Sequence, residues 1–307
     1  MNIVDAFLFQ ARHQPTELAL CVPGTQYNAV SYGRLKLFVN NIASRAVSAG
    51  LRRGNVVAVV TNDPVFHLAL VLGLTRIGAV TLSTTSPKLP SELKVDALLT
   101  DVPGTFQNVD RMMLVDQSWT TGDGRGPDLP VEPASEYGGG SAPARIVLTS
   151  GTTGEPKAVS LSHDMMLRRL QAYDVAFGNV VPTCARVFLD LGLTASFGYT
   201  WALHILARGG AIFLRGADAA ETLQAFQLYN VQCMISRRLP ASRSFSTTTS
   251  TRPISSARSR SCWRRAACCR ARCPSAYAPA CARTSWRPTA RPRSVRSPPP
   301  LRTGLPM

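Results

Sequence analysis

The stretch from Ile146 to Lys157 combines hydroxyl side chains, glycines and one lysine directly after an apolar run. Glycine lets the backbone turn so that its N–H groups converge on an anion, while hydroxyls add hydrogen-bond donors and lysine supplies a positive charge. This combination favours phosphate binding over a plain polar turn between two strands, which would not explain the unbroken Thr-Ser-Gly-Thr-Thr-Gly run before Pro-Lys. The candidate binding residues are Thr149, Ser150, Gly151, Thr152, Thr153, Gly154 and Lys157.

The spacing of these residues differs from that of the common nucleotide-binding loop. That loop has four residues between its glycines and a lysine directly after the second glycine. Here Gly151 and Gly154 are closer together, and Glu155 and Pro156 come before Lys157. The run instead resembles the phosphate loop of the adenylate-forming enzymes, which include acyl-CoA synthetases, firefly luciferase and peptide-synthetase adenylation domains. The resemblance implies that the loop holds the phosphates of ATP while a carboxylate attacks the α-phosphate, giving an acyl-adenylate and pyrophosphate.

Strand and helix patterns alternate through the first 236 residues. Val56 to Val60 is an all-apolar run typical of a strand buried in a parallel sheet. Asp63 and Pro64 then supply an N-cap and a first-turn proline for an apolar helix that ends before the next predicted strand, Ala79 to Leu82. Further helix starts are predicted at the capping residues Ser31, Ser162 and Asp218. Such alternation predicts an α/β fold with parallel-rich sheets and helices on their faces.

The family resemblance extends over the same region. Ser31 to Leu35 resembles an early Thr-Tyr-x-x-Leu helix start, and Gly50 to Val56 resembles a Gly-x-x-x-Gly-Asp-x-Val turn in which Asn55 replaces the usual Asp. Gly73 to Pro87 and Arg208 to Ile212 resemble two later strand-forming segments. The resemblance therefore implies the N-terminal part of an adenylate-forming large domain over residues 1–236, an AMP-binding (adenylation) domain that is only partial.

Three further side chains are interpreted through the family or through their position. Ser196 stands near a position where the family commonly has a histidine lining the acyl pocket, so the identity of the acid stays open. Phe197 and Tyr199 are expected to be core aromatics, as large side chains in a helical stretch usually are. His163 is expected to bind local backbone groups rather than to act as an acid or base.

The charge of the chain changes abruptly near residue 236. The whole sequence carries a formal charge of +16. Residues 1–236 hold 18 acidic and 18 basic residues and are neutral, whereas residues 237–307 hold 16 Arg but no Lys, Asp or Glu. That tail also contains ten of the 22 prolines and five of the eight cysteines. It is expected to be disordered, and its cysteines, without paired spacing or nearby histidine, do not favour a metal site.

The tail composition is also what GC-rich DNA yields when it is translated out of frame. Shifted codons can be formed from the third base of one codon and the first two bases of the next. Arg287 to Arg293 then permits Ala-Thr-Tyr-Gly-Ser-Thr-Glu, and Phe245 to Ser250 permits Phe-Leu-Asp-Tyr-Tyr-Glu. Tyr-Gly-x-Thr-Glu resembles the family's next nucleotide motif, whose Glu serves the magnesium ion. We therefore expect a frameshift near residue 236 and a truncated family domain.

Composition also limits the compartment. No signal peptide is evident and no apolar run is long and clean enough to span a membrane, because charged residues, Pro64 or glycines interrupt the candidates. Cys21, Cys184 and Cys233 are scattered, as in a reducing cytoplasm. The resemblance implies ATP and Mg²⁺ as cofactors, a carboxylic-acid substrate and a thiol acceptor, either coenzyme A or a carrier protein.

Three functions stay open at this stage. The first is ATP-dependent activation of a carboxylic acid by an acid–thiol ligase, impaired here because the frameshift removes the family's magnesium-linked Glu, its ribose-binding Asp and its C-terminal lysine. The second is an ATP-binding pseudoenzyme. The third is nucleic-acid binding through the Arg-rich tail, which is the least favoured because the charge follows the suspected change of frame.

Overall fold

The computed structural model of the protein describes residues 1–85, 89–90, 92–104, 106–121, 139–149 and 157–236. The predicted tail, residues 237–307, lies outside the described residues. The helices are α1 (Asp5–His13), α2 (Tyr32–Ser48), α3 (Pro64–Arg76), α4 (His163–Phe177), α5 (Ser196–Ala207) and α6 (Ala219–Leu228). The strands are β1 (Leu18–Cys21), β2 (Val30–Ser31), β3 (Val56–Val60), β4 (Val80–Ser83), β5 (Ala97–Thr100), β6 (Met112–Leu114), β7 (Pro143–Thr149), β8 (Lys157–Ser162), β9 (Arg186–Asp190), β10 (Ala211–Phe213) and β11 (Cys233–Ser236).

One sheet carries the segment that leads into the predicted phosphate loop. Its strand order is β6-β5-β3-β4-β7-β8, and all its neighbours pair in parallel except β7 and β8. The β3-α3-β4 unit lies at its centre, as the apolar pattern predicted. The carboxyl ends of β3, β4 and β7 therefore meet at one edge of this sheet.

The second sheet has the order β11-β9-β10-β1-β2 and is parallel except for the β1–β2 pair. The predicted α/β fold with parallel-rich sheets is confirmed. The sequence analysis did not predict strands β1 and β2, which have four and two residues. They are held in place by long-range pairing, since β1 binds β10, whose Ile212 lies beside Leu20.

The helix starts follow the predicted caps. Ser31 accepts from the backbone N–H of Arg34, Ser162 from that of Met165, and Asp218 from that of Ala220. Asp63 accepts from the N–H groups of both Val65 and Phe66 and so satisfies two donors that the first turn of α3 leaves free. α1 and α5 begin without such a cap, because their N-cap residues, Val4 and Ala195, make no side-chain hydrogen bond.

The core is organised around two helices that are apolar on almost every side. In α3 every residue from Val65 to Thr75 is buried, and in α5 so is every residue from Gly198 to Leu206. A helix of this kind must be surrounded by other elements. Tyr32 fastens the start of α2 to this core, since its hydroxyl lies 3.0 Å from the carbonyl of Leu206 and 2.7 Å from that of Gly210. The two central helices thus fix the positions of the strand ends that surround them.

Candidate functional site

The predicted phosphate loop connects the two antiparallel strands β7 and β8. In this hairpin Thr149, the last residue of β7, is paired with Lys157, the first residue of β8. The hydroxyl of Thr149 donates to the carbonyl oxygen of Lys157 at 3.3 Å. Ser150, Gly151, Thr152, Thr153 and Gly154 lie outside the described residues. Of the predicted site, the structure therefore describes the two residues at the base of the loop.

Thr149 and Lys157 lie opposite each other where β7 ends and β8 begins. Residues directly opposite in an antiparallel pair place their side chains on the same face of the sheet. Both residues are exposed, and no carboxylate among the described residues lies within ion-pair distance of the Lys157 ammonium. The Thr149 hydroxyl donates to the Lys157 carbonyl, so the exposed Lys157 ammonium is the described group at the base of the loop that could contact an anion.

Magnesium finds no corresponding ligand set among the described residues. No group of three or more His, Cys, Asp or Glu side chains there is arranged to hold a metal ion. Magnesium is hard and binds oxygen, commonly one or two carboxylates together with substrate phosphates. We therefore assign none of the described residues to a magnesium ion.

A buried polar network that was not predicted lies under the carboxyl ends of β3 and β4. The His67 ring joins the two ends, with Nδ1 3.2 Å from the Thr61 hydroxyl and Nε2 2.8 Å from the Ser83 hydroxyl. Arg145 donates from Nη2 to the same Ser83 oxygen at 2.9 Å. Both ring nitrogens of His67 therefore have a hydroxyl partner, and because a hydroxyl can donate or accept, either neutral tautomer of the imidazole is satisfied.

Burial, with a smaller contribution from the neighbouring Arg145 charge, lowers the pKa of His67 to about 3 from its usual 6.5. The depressed pKa means that the unfolded chain binds this proton first as the pH falls. The stability that His67 contributes is therefore complete above pH 6.5 and is lost as the pH falls towards the folded value.

We expect His67→Gln to remove part of the acid sensitivity of the fold. When the pH falls from 7 to 5, the unfolded wild type binds a proton at His67 that the folded protein does not bind. Its free energy of unfolding therefore falls by about 2 kcal/mol, and this loss is absent in the variant. Urea unfolding at both pH values measures the free energy of unfolding of each protein. His13→Gln is the control, because His13 is exposed. Equal losses in the wild type and His67→Gln would contradict the assignment.

His163 has a structural role, but its partner is not local. The ring is buried, and Nδ1 accepts from the backbone N–H of Ile3 at 3.2 Å, 160 residues away in sequence. Burial lowers the pKa of His163, and the chain N-terminus lowers it further, against the opposing effect of Asp164. The residue thus ties the start of the chain to the start of α4 and is not arranged as an acid or base.

The start of α5 differs from the prediction at one aromatic residue. Tyr199 is buried as expected, with 1% of its surface exposed, but Phe197 is 52% exposed and is not a core aromatic. The helix begins at Ser196, which places Phe197 and Tyr199 on different faces. Ser196, where the resemblance places a histidine, accepts from Arg169 at 3.3 Å. The exposed Phe197 ring packs edge-on against Tyr173 and Trp201.

A cavity of about 330 Å³ opens at the opposite edge of the first sheet, where β3, β4 and β7 begin. Gly54, Gly78 and His163 are among its lining residues, whereas Thr149 and Lys157, the two predicted phosphate contacts that the structure describes, are not. Ligands of open α/β sheets bind outside the carboxyl ends of the strands. We therefore place the candidate site at the hairpin and the carboxyl edge rather than in this cavity.

Comparison with known proteins shows the family of the chain. The family model described as AMP-binding enzyme matches residues 7–237. The chain belongs to the AMP-binding enzyme family. Among curated AMP-binding relatives, it is 27% identical over 262 residues to the fatty acid–[acyl-carrier-protein] ligase MmaC of Mycobacterium marinum, covering 76% of this chain and 48% of that protein. It is 26% identical over 223 residues to the nonribosomal peptide synthetase MalG of Malbranchea aurantiaca, covering 68% of this chain and 9% of that one.

Solved structures of AMP-binding proteins share the fold. The N-terminal subdomain of Klebsiella oxytoca NpsA, in complex with 3-hydroxybenzoyl-AMSN, superposes with a TM-score of 0.59 at 19% identity, covering 75% of this chain and 58% of that chain. O-succinylbenzoate coenzyme A synthetase (MenE) from Bacillus subtilis, in complex with AMP, gives a TM-score of 0.59 at 16% identity, covering 75% of this chain and 61% of that chain. The match spans less than half the length of the two curated relatives, MmaC and MalG.

Among the described residues, no helix is both long and apolar enough to cross a membrane.

Proposed function

We propose that the first 236 residues form the ATP-binding part of an enzyme that activates a carboxylic acid as an acyl-adenylate. The observation that carries the proposal is the pairing of Thr149 with Lys157 at the base of a hairpin loop of hydroxyl residues and glycine, in a chain of the AMP-binding family. The loop residues Ser150 to Gly154 would complete the phosphate contacts with their backbone N–H groups and hydroxyls.

In the proposed reaction a carboxylate oxygen of the acid forms a bond to the α-phosphorus of ATP. The bond between that phosphorus and the bridging oxygen breaks, and pyrophosphate leaves with the electron pair. Negative charge is carried away on the leaving group, so the ammonium group of Lys157 would stabilise it best when held beside the β- and γ-phosphates. A thiol would then take the acyl group from AMP, and either coenzyme A or a carrier protein fits the chemistry of the relatives. The proposed reaction would take place in the cytoplasm, where ATP and such thiols occur.

We further propose that the reading frame changes near residue 236, so that this chain activates acids poorly or not at all. The support is the change from balanced charge to 16 Arg without acid, together with the two family-like segments that the shifted frame permits. Strand β11 ends at this point and, among the described residues, pairs only with β9. An edge strand with one free side is a place where a further strand would be added.

Sequencing the gene across codons 230–300 tests the frame directly. We expect one base to be missing or extra near codon 236, with an open frame beyond it that encodes Tyr-Gly-x-Thr-Glu. A clean read of the present frame would remove the frameshift from the account and leave the ATP-binding pseudoenzyme as the next candidate.

A further inference from the structure

Arg145 is a buried cation without an acidic partner in the described part of the chain. It lies on β7, four residues before Thr149, and only 2% of its surface is exposed. Its Nη2 group donates to Ser83 Oγ at 2.9 Å and to the Thr194 carbonyl at 3.4 Å. Its Nε and Nη1 groups have no hydrogen-bond partner among the residues that the structure describes. Most of the donors of this guanidinium are therefore unused.

The residues around Arg145 supply no negative charge. Its guanidinium stacks on the Tyr199 ring, with 4.1 Å between the guanidinium carbon and the ring centroid. Burial raises the pKa of Tyr199, so its phenol stays neutral beside the arginine. His67 reaches the site only through Ser83 and is neutral as well. An isolated buried charge costs several kcal/mol, whereas a carboxylate held by an arginine recovers much of this cost.

The position of Arg145 relates it to the candidate site. β7 rises about 3.3 Å per residue, so the base of the phosphate loop lies about 13 Å further along the strand. The arginine side chain contacts Ser83 at the carboxyl end of β4 and Thr194 just before α5. Thr194 and Tyr199 belong to the segment that resembles the family's acyl-pocket region. A ligand held by Arg145 would therefore lie beside the segment that resembles the acyl-pocket region rather than at the base of the phosphate loop.

We propose that Arg145 binds a second acidic group of the substrate, so that the acid activated is a dicarboxylic acid. One carboxylate would react at the phosphate loop, and the other would occupy the free donors of Arg145. The proposal rests on the proposed acid activation and names the class of acid. Charge recognition of this kind is specific, because a monocarboxylic acid of the same length leaves the buried guanidinium unpaired.

The test measures binding of straight-chain dicarboxylic acids of three to fourteen carbons to the full-length chain, each compared with the monocarboxylic acid of the same carbon number. Isothermal titration is expected to show at least one length at which the diacid binds about tenfold more tightly or better. Arg145→Met should abolish this preference, Arg145→Lys should retain part of it, and the exposed Arg168→Met should leave it unchanged. Because the preference is measured in the wild type, a variant that fails to fold does not decide the result.

Lys157→Ala separates the two proposals. It should weaken ATP binding and leave the preference for the diacid intact. If ATP binding responds to Lys157→Ala but no diacid is preferred at any length, or if Arg145→Met keeps the preference, the proposal for Arg145 is overturned and acid activation stands. If the diacid preference is present but ATP does not bind, acid activation fails while Arg145 keeps its ligand.

Discussion

Restoring the reading frame after residue 236 is expected to raise acid-dependent exchange of pyrophosphate into ATP by at least about 100-fold over the chain as written. Several preorganised charges act together on the transferring phosphoryl group, and removing one of them commonly costs a factor of this size. The shifted frame permits the Glu of the Tyr-Gly-x-Thr-Glu segment, whereas residues 237–307 contain no acid at all. The restored chain would also give β11 a continuation beyond Ser236.

The experiment compares three proteins made from the same gene. They are the chain as written, the chain corrected by one base, and the corrected chain that also carries Lys157→Ala. Exchange is measured with a panel of acids that includes the dicarboxylic series. Activity in the corrected chain alone supports the account. If the corrected chain folds, by circular dichroism, and exchanges pyrophosphate no faster than the chain as written with every acid, the frameshift explanation is wrong.

Replacing Lys157 with alanine is expected to weaken ATP binding by about 10- to 100-fold. The side chain is exposed at the first position of β8, opposite Thr149, so its loss removes a charge-assisted contact without opening a cavity in the core. Hydrogen bonds to charged groups contribute about 1.5–3 kcal/mol, which corresponds to this range. Adenosine, which carries no phosphate, should bind both proteins equally.

Lys94→Ala is the matched control for this substitution. Lys94 is also exposed, with 77% of its side chain accessible, and its ammonium group lies 3.3 Å from a carboxylate oxygen of Asp110. Surface ion pairs of this kind contribute little, about 0–1 kcal/mol, so its loss should leave both fold and ATP affinity nearly unchanged. Equal effects of the two substitutions would show that Lys157 acts through general surface charge and not through a phosphate contact.

Local chemistry predicted the parts of the fold that local chemistry controls. Ser31, Asp63, Ser162 and Asp218 all cap helices as expected, because a capping side chain binds N–H groups only two or three residues away. The β-α-β unit around α3 was predicted for the same reason. Its apolar runs and Gly78, the glycine that follows the helix, lie next to each other in the sequence. Strand β1 depends on pairing with β10, almost 200 residues later, and no local sequence pattern predicts this pairing.

In the candidate site, too, the sequence predicts contiguous residues better than contacts between distant ones. The phosphate loop could be proposed from the sequence because its residues are contiguous, whereas the pairing of Thr149 with Lys157 at its base is seen only in the structure. The network of His67, Ser83 and Arg145 was missed because these residues come from three separate elements. One signal was present in the sequence: Arg145 is the only charged residue in the otherwise apolar run from Pro143 to Leu148. A charge within a buried strand calls for a partner, and this one identifies a position worth testing.

The environment of Phe197 shows why the prediction for it was wrong. Composition suggests that a large aromatic side chain in a helical stretch is buried. The phase of α5 overrides this tendency, because its apolar side chains surround the helix from Gly198 onward and Phe197 lies in its first turn. Phe197 and Tyr199 are two residues apart and therefore lie on nearly opposite faces of the helix. The boundary of an uncapped helix is the feature that the sequence could not define.

The most direct measurement of the central claim is equilibrium binding of ATP and of adenosine to the full-length chain. If the hydroxyl-rich loop between Thr149 and Lys157 grips the triphosphate, ATP should bind at least about tenfold more tightly than adenosine, and added pyrophosphate should compete with it. Equal affinity for ATP and adenosine, with no competition by pyrophosphate, would contradict the assignment of a phosphate site to this hairpin.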